Sequence, residues 1–234
     1  MREILKKTFD KIYCINLDHR VDRWESAKQE LSKYNILDLV TRFPGCIGQD
    51  GETSYVFATK SHIECIKDAK INNYKNILIL EDDFKFINEK WTGDQFIASN
   101  PEEVINNALE QLQDIEWDML YFSYLIKLPR KFAEYKQITK NVFQSVSQAW
   151  ANAYGVSNNL YDFILKTDPT GHLVIDQYYS KYLTHRFKCL NIMPMVVCPY
   201  TSASDARPAE QEKNGFVDNY KVARKHSLRR YYVS

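Results

Sequence analysis

The alternation of apolar and polar positions divides the first third of the chain into strand, helix, strand, helix and strand. Residues 11–17 (KIYCINL) form an apolar run of strand length. Val21, Trp24, Ala27, Leu31 and Tyr34 then recur every three or four residues, which predicts an amphipathic helix to about Tyr34 with Asp18 as its cap. Residues 39–43 read as a second short strand, and 55–73 as a helix with Ala58, Ile63, Ile66 and Ala69 inward. Residues 76–80 (NILIL) are apolar on both alternating sets, as in a strand buried on both faces of a parallel sheet. This order predicts an α/β fold, a mostly parallel sheet flanked by helices with right-handed crossovers.

Farther along, Asn100, Pro101, Glu102 and Glu103 mark a helix start, and Val104, Ile105, Ala108, Leu109 and Leu112 give it an apolar face. Residues 117–122 read as a strand, 127–148 as a hairpin or flap, and 151–156 as a strand before a short helix capped by Ser157. A turn at 167–171 precedes a helix carrying Ile175, Tyr178, Tyr179, Tyr182 and Leu183. Residues 189–198 form a last apolar strand, and Pro194 inside it predicts an edge or bulged strand. Without repeats or a clear linker, residues 1–205 read as a single domain, and 206–234 as a polar, loosely packed tail.

Charge narrows the partners. A formal net charge of +1 gives no basic field for nucleic acid. The five Cys show no CxxC pair and no metal-finger spacing, so they read as small core residues in a reducing compartment. No stretch approaches the ~20 apolar residues of a membrane span, and the first residues lack the apolar core of a signal peptide. A cytoplasmic protein is the expectation; the oligomeric state is left open.

The strand at 76–80 runs into Glu81-Asp82-Asp83. Ligands of open α/β sheets bind at the carboxyl ends of strands. Three adjacent carboxylates repel one another unless a cation neutralises them, and hard Mg²⁺ or Mn²⁺ suits oxygen ligands. A solvated acidic turn is the plainer alternative.

Seven segments taken together resemble glycosyltransferase family 25, which includes lipopolysaccharide, lipooligosaccharide and procollagen galactosyltransferases. Residues 15–23 (INLDHRVDR) resemble its opening INLxxRxxR, Ser61-His62 its SH pair, and 79–83 (ILEDD) its LILEDD. Trp117-Asp118, the AYGVS of 153–157 and Ile175-Asp176 follow in order, and Ser204-Asp205 resembles the closing segment. Two departures stand out. Phe57-Ala58 occupies the place of the family's Gly-Cys, and the Gln usual before the final Ser is missing.

The resemblance implies a GT-A-like fold and a metal-dependent inverting transfer of a hexose, galactose or glucose, from a UDP-sugar. The acceptor would be a hydroxyl of a glycan or of a glycosylated or hydroxylated protein. Asp83, Glu81 and Asp205 are then candidate ligands of Mn²⁺ or Mg²⁺, and Asn16, Arg20, Arg23, Ser61, His62 and Glu81 candidate donor contacts. Asp176 is the candidate general base, with Asp118 as runner-up. Arg20 and Arg23 could equally pair with Asp18, Asp22 or Glu25, Ser61 could cap its helix, and His62 could be a packed core residue. Asp82 is expected to point away and serve the structure. The Phe57-Ala58 departure motivates an alternative, a non-catalytic carbohydrate-binding or scaffolding module of the same fold.

Overall fold

Successive side chains of the third strand enter two different apolar clusters. Ile77 and Ile79 pack with Ile66, Ala69 and Tyr179, whereas Leu78 and Leu80 pack with Leu31, Ile105 and Leu109. Because alternate strand residues face opposite sides, this pattern puts a helical layer on each face of one sheet. The computed structural model describes residues 1–48, 54–87, 100–126, 136–146, 148–166 and 174–199.

In chain order the elements are α1 (Arg2–Thr8), β1 (Lys11–Asn16), α2 (Val21–Lys33), β2 (Val40–Pro44), α3 (Ser54–Ile71), β3 (Asn76–Glu81), β4 (Phe84–Phe86), α4 (Pro101–Gln111) and β5 (Met119–Tyr121). They continue with β6 (Leu125–Ile126), β7 (Gln137–Thr139), β8 (Val142–Gln144), β9 (Gln148–Ala149), β10 (Ala153–Ser157), α5 (Tyr161–Lys166), α6 (Ile175–Tyr182), β11 (Cys189–Ile192) and β12 (Val197–Pro199). The main sheet has eight strands in the order β2-β1-β3-β10-β5-β11-β8-β7. β10 and β8 run against the other six. The expected α/β fold with a mixed, mostly parallel sheet is therefore present.

The chain leaves β1 for β2 on one side, then returns through α3 to β3 on the other. That change of direction opens a crevice beyond the carboxyl ends of β1 and β3, the usual ligand position in such sheets. β3 carries its acids to this rim because Ile77 to Leu80 are all buried and hold it at the sheet's centre.

Several elements match the sequence pattern. Asn100 caps α4, its side chain accepting from the backbone N–H groups of Glu102 and Glu103 at 3.1 and 3.3 Å. The expected hairpin is β7–β8, which extends the main sheet beside β11; residues 127–135 lie outside the described residues. Other expectations are corrected. Arg20, not Asp18, stands at the N-cap of α2, and Asp18 pairs with Arg42 at 2.9 Å instead. Ser157 ends β10 and makes no side-chain cap; its Oγ has no partner. The last apolar run is two strands. β11 lies between β5 and β8, not at an edge, and the chain turns at the cis Met193–Pro194 bond into β12, which pairs with β4 in a separate small sheet. Proline lacks the N–H that a continuing ladder needs. The turn at 167–171 and the tail lie outside the described residues. Among the described residues no helix is long and apolar enough to cross a membrane.

Candidate functional site

The three acids at the end of β3 divide by direction. Asp82 turns toward α2. It is buried, accepts from Asn16 Nδ2 at 2.6 Å and pairs with Arg23 Nη1 at 3.1 Å. Asn16 in turn accepts from Arg42 Nε at 2.8 Å and donates to the Arg20 carbonyl at 3.0 Å. Burial raises the Asp82 carboxyl above its ordinary value, against the hydrogen bond from Asn16 and the charge of Arg23. Asp82 thus ties the end of β1 and the start of α2 to β3, but it also lines the cleft rather than pointing away from it. The candidate donor contacts Asn16 and Arg23 are held in that network rather than presented as bare donors.

Glu81 turns toward α3. Its Oε1 lies 3.0 Å from His62 Nε2, and its side chain is about one-third exposed. Across the antiparallel β10, its backbone N–H donates to the Asn152 carbonyl at 2.9 Å. Asp83 Oδ1 is enclosed and has no hydrogen-bond partner. Burial, with the Glu81 charge second, pushes the Asp83 carboxyl up to about 8. A carboxylate left in that state is costly unless a cation or proton joins it.

Glu81, Asp82 and Asp83 line one wall of a cleft of about 230 Å³. The segment after β2 forms the other wall, and Ser61 holds it there. Ser61 lies within α3 rather than at its start, donates to the Phe57 carbonyl at 2.8 Å and accepts from the Cys46 N–H at 2.8 Å. Ser61 therefore anchors a loop instead of capping a helix. Gly48 lies flat on the Phe57 ring; a Cβ there would sit 1.8 Å from Cζ. Phe57 stands where the family that the sequence resembles has glycine, and in this chain the glycine across the contact accommodates the ring.

The remaining candidates separate in space. Arg20 pairs with Asp22 at 3.0 Å, one of the surface pairings open to it. Asp118 is at the opposite, amino end of the sheet. It accepts from the Lys188 N–H at 2.8 Å and from Asn159 at 3.1 Å, so its oxygens serve the fold and it lies away from the cleft. This corrects its candidacy as base. Asp176 begins α6. Its Oδ2 accepts from the Trp150 N–H at 3.1 Å, two residues before Asn152, and its Oδ1 is buried without a partner. That places Asp176 toward the same rim as Glu81, although it does not line the cleft with the acids. Asp205 lies outside the described residues.

Residues that the sequence did not single out complete the surroundings of His62. Its Nδ1 lies 3.0 Å from the Tyr154 hydroxyl, which lies 2.9 Å from that of Tyr179. Tyr154 belongs to a family-like segment but carries no assigned role, and Tyr179 reads from its spacing only as core. Arg42, which holds Asn16 and stacks over Trp24 at 5.9 Å, has no motif at all.

Among the described residues no three His, Cys, Asp or Glu side chains cluster as a metal cage. Glu81 and Asp83 supply the oxygen donors that suit a hard divalent cation. Such ions are commonly held by one or two carboxylates, with substrate phosphates and water completing the shell, and Asp83 Oδ1 is a carboxylate oxygen with no protein partner.

No protein-family model and no curated protein matches the chain. Solved structures with similar shape include a glycosyltransferase involved in glycosylation of the major capsid of PBCV-1, at 8% identity and TM-score 0.37, covering 74% of this chain and 68% of that one. A197 from STIV is similar at 12% identity and TM-score 0.42, covering 82% and 86%. A Bacillus anthracis protein assigned as a glucose-1-phosphate thymidylyltransferase, in complex with a sucrose, is similar at 14% and 0.39, covering 78% and 68%. With TM-scores below 0.5, none of them bears on the chemistry of the cleft.

Proposed function

We propose that the chain is a metal-dependent glycosyltransferase of the family 25 kind, moving a galactose or glucose unit from a UDP-sugar to a hydroxyl of a glycan or protein. The observation that carries this reading is the placement of Glu81 and the unpartnered Asp83 Oδ1 at the carboxyl rim of β3, where the strand order reverses and a cleft opens. Asp83 is the primary holder of Mn²⁺ or Mg²⁺, and Glu81 supplies a second oxygen or a ribose contact. When bound, the cation supplies Lewis-acid neutralisation of the departing diphosphate. Asp205 stays a proposed third ligand.

The residues of the chain have three tasks in an inverting displacement. Ser61 and Gly48 hold the loop wall against which the nucleotide would lie. Asp82 keeps Arg23 and Asn16 at the phosphate side. Asp176, held through Oδ2 by the Trp150 N–H on the same rim, is the proposed general base. The acceptor oxygen bonds to the anomeric carbon, its proton passes to Asp176, and the bond from that carbon to the diphosphate breaks with the electron pair leaving on UDP.

UDP with Mn²⁺ is expected to raise the melting temperature of the wild-type protein, and Asp83→Ala to abolish the rise. No shift at saturating ligand would sink the proposal. A non-catalytic carbohydrate-binding module is the second reading, favoured by the Phe57 ring that fills space beside Gly48. Metal-dependent UDP release from a panel of UDP-sugars, above the level of Asp83→Ala and Asp176→Asn, excludes it.

A further inference from the structure

His62 is 1% exposed, and its imidazole is held at both nitrogens. Tyr154 and Tyr179 are 0% and 1% exposed. The four groups Glu81, His62, Tyr154 and Tyr179 form one unbranched chain with successive separations of 3.0, 3.0 and 2.9 Å. It joins four elements, from the rim of β3 through α3 and β10 to α6. Tyr179 stands one helical turn after Asp176, so the chain joins the element carrying the acids to the helix carrying the candidate base.

The direction of its protons follows from the donor inventory. An ionised carboxylate only accepts, so His62 Nε2 must carry the hydrogen toward Glu81. In a neutral imidazole Nδ1 is then bare, so the Tyr154 hydroxyl would donate to it and the Tyr154 oxygen would accept from Tyr179. Every hydrogen points toward Glu81, an arrangement in which each bond polarises the next. The consequence at the cleft is geometric. Oε1 of Glu81 lies 3.0 Å from His62 Nε2, which fixes how the carboxylate presents its second oxygen to the cleft.

We infer that His62, Tyr154 and Tyr179 are positioning residues that hold the Glu81 carboxylate in orientation at the cleft. The inference rests on the glycosyltransferase reading for the identity of the ligand. Metal sites show how much such outer partners matter, their loss lowering affinity by about 10- to 100-fold.

The test combines binding of UDP with Mn²⁺, by calorimetry, with ¹⁵N spectra of the His62 ring. In the wild type the ring is expected as the Nε2–H tautomer with a hydrogen-bonded, unprotonated Nδ1. His62→Ala should weaken binding by about 10- to 100-fold. His62→Gln, which keeps a donor at similar reach, should restore part of that loss. Tyr154→Phe removes one hydroxyl and keeps the ring, so it should move the His62 Nδ1 signal and weaken binding less than His62→Ala. Equal binding by wild type, His62→Ala and Tyr154→Phe overturns the inference while leaving the glycosyltransferase reading intact. A wild-type protein that binds no UDP with Mn²⁺ overturns both. An Nδ1–H tautomer in the wild type overturns the proposed direction of the chain, and with it the positioning role. Should His62→Ala fail to fold, Tyr154→Phe and Tyr179→Phe carry the same comparison.

Discussion

Acids stand at both ends of the central sheet, and the two ends treat them differently. At the amino end, Asp10 accepts from the N–H groups of Lys75 and Asn76 at 2.6 and 3.1 Å, and Asp118 from those of Lys188 and Asn159. These carboxylates close loops onto strand starts and have ready donors. At the carboxyl end the half-buried Asp83 has an enclosed, unpartnered Oδ1, and Glu81 has one oxygen held. The same residue type at a strand end is therefore scaffold in one place and an electrostatic liability in the other. Local donors make the difference, and a liability retained at a cleft marks a candidate site.

Four substitutions would break or sharpen that contrast. The largest effect on folding is expected from Asp82→Ala, which leaves Arg23 without its buried carboxylate. A loss of about 3–5 kcal/mol is expected from breaking a buried pair on one side, visible in urea denaturation. Asp83→Ala comes next. It should spare the fold and lower affinity for UDP with Mn²⁺ on the order of 100-fold, at least that of losing an outer partner. Asp118→Ala should do the reverse, leaving ligand binding unchanged and lowering stability by about 1 kcal/mol, or about 2–4 °C in melting temperature. An Asp118→Ala variant defective in binding but of wild-type stability would undo the assignment of scaffold and site to opposite ends.

The smallest effect is a slope. The Asp83 carboxyl is pushed up to about 8 from an ordinary 3.8. A raised carboxyl favours the proton-bound folded state, so its contribution is full below the unfolded value and is lost as pH rises toward the folded value. In the metal-free protein, melting temperature should therefore fall through this term between about pH 4 and 8. Asp83→Asn should flatten that part of the profile and melt higher than wild type at pH 8. Identical profiles in EDTA would contradict the burial of Asp83.

Much of this contrast was legible before the structure, and its limits have physical causes. β3 and its acids were readable because both alternating sets of Ile77 to Leu80 are apolar. α4 was readable because Asn100 and Pro101 act within one turn of chain. Strand direction was not, because an apolar run such as 153–157 carries no sign of which way it lies; β10 proved antiparallel to both neighbours. α1 has too few apolar positions to show a period. Asp118 and Asp176 both looked like acids at element starts, and only the sheet register put one at the far end. The His62–Tyr154–Tyr179 chain joins residues 92 and 25 positions apart, and each reads alone as an ordinary core residue.

The loop held by Ser61 has a practical consequence for chemical labelling. Cys14, Cys65, Cys189 and Cys198 are buried, and burial raises each thiol above its ordinary value, which suppresses the reactive thiolate. Cys46 is half-buried on the cleft wall, with its own N–H pinned to Ser61. A maleimide applied to the native protein should therefore modify Cys46 first, and the rate of that modification becomes a gauge of whatever enters the cleft.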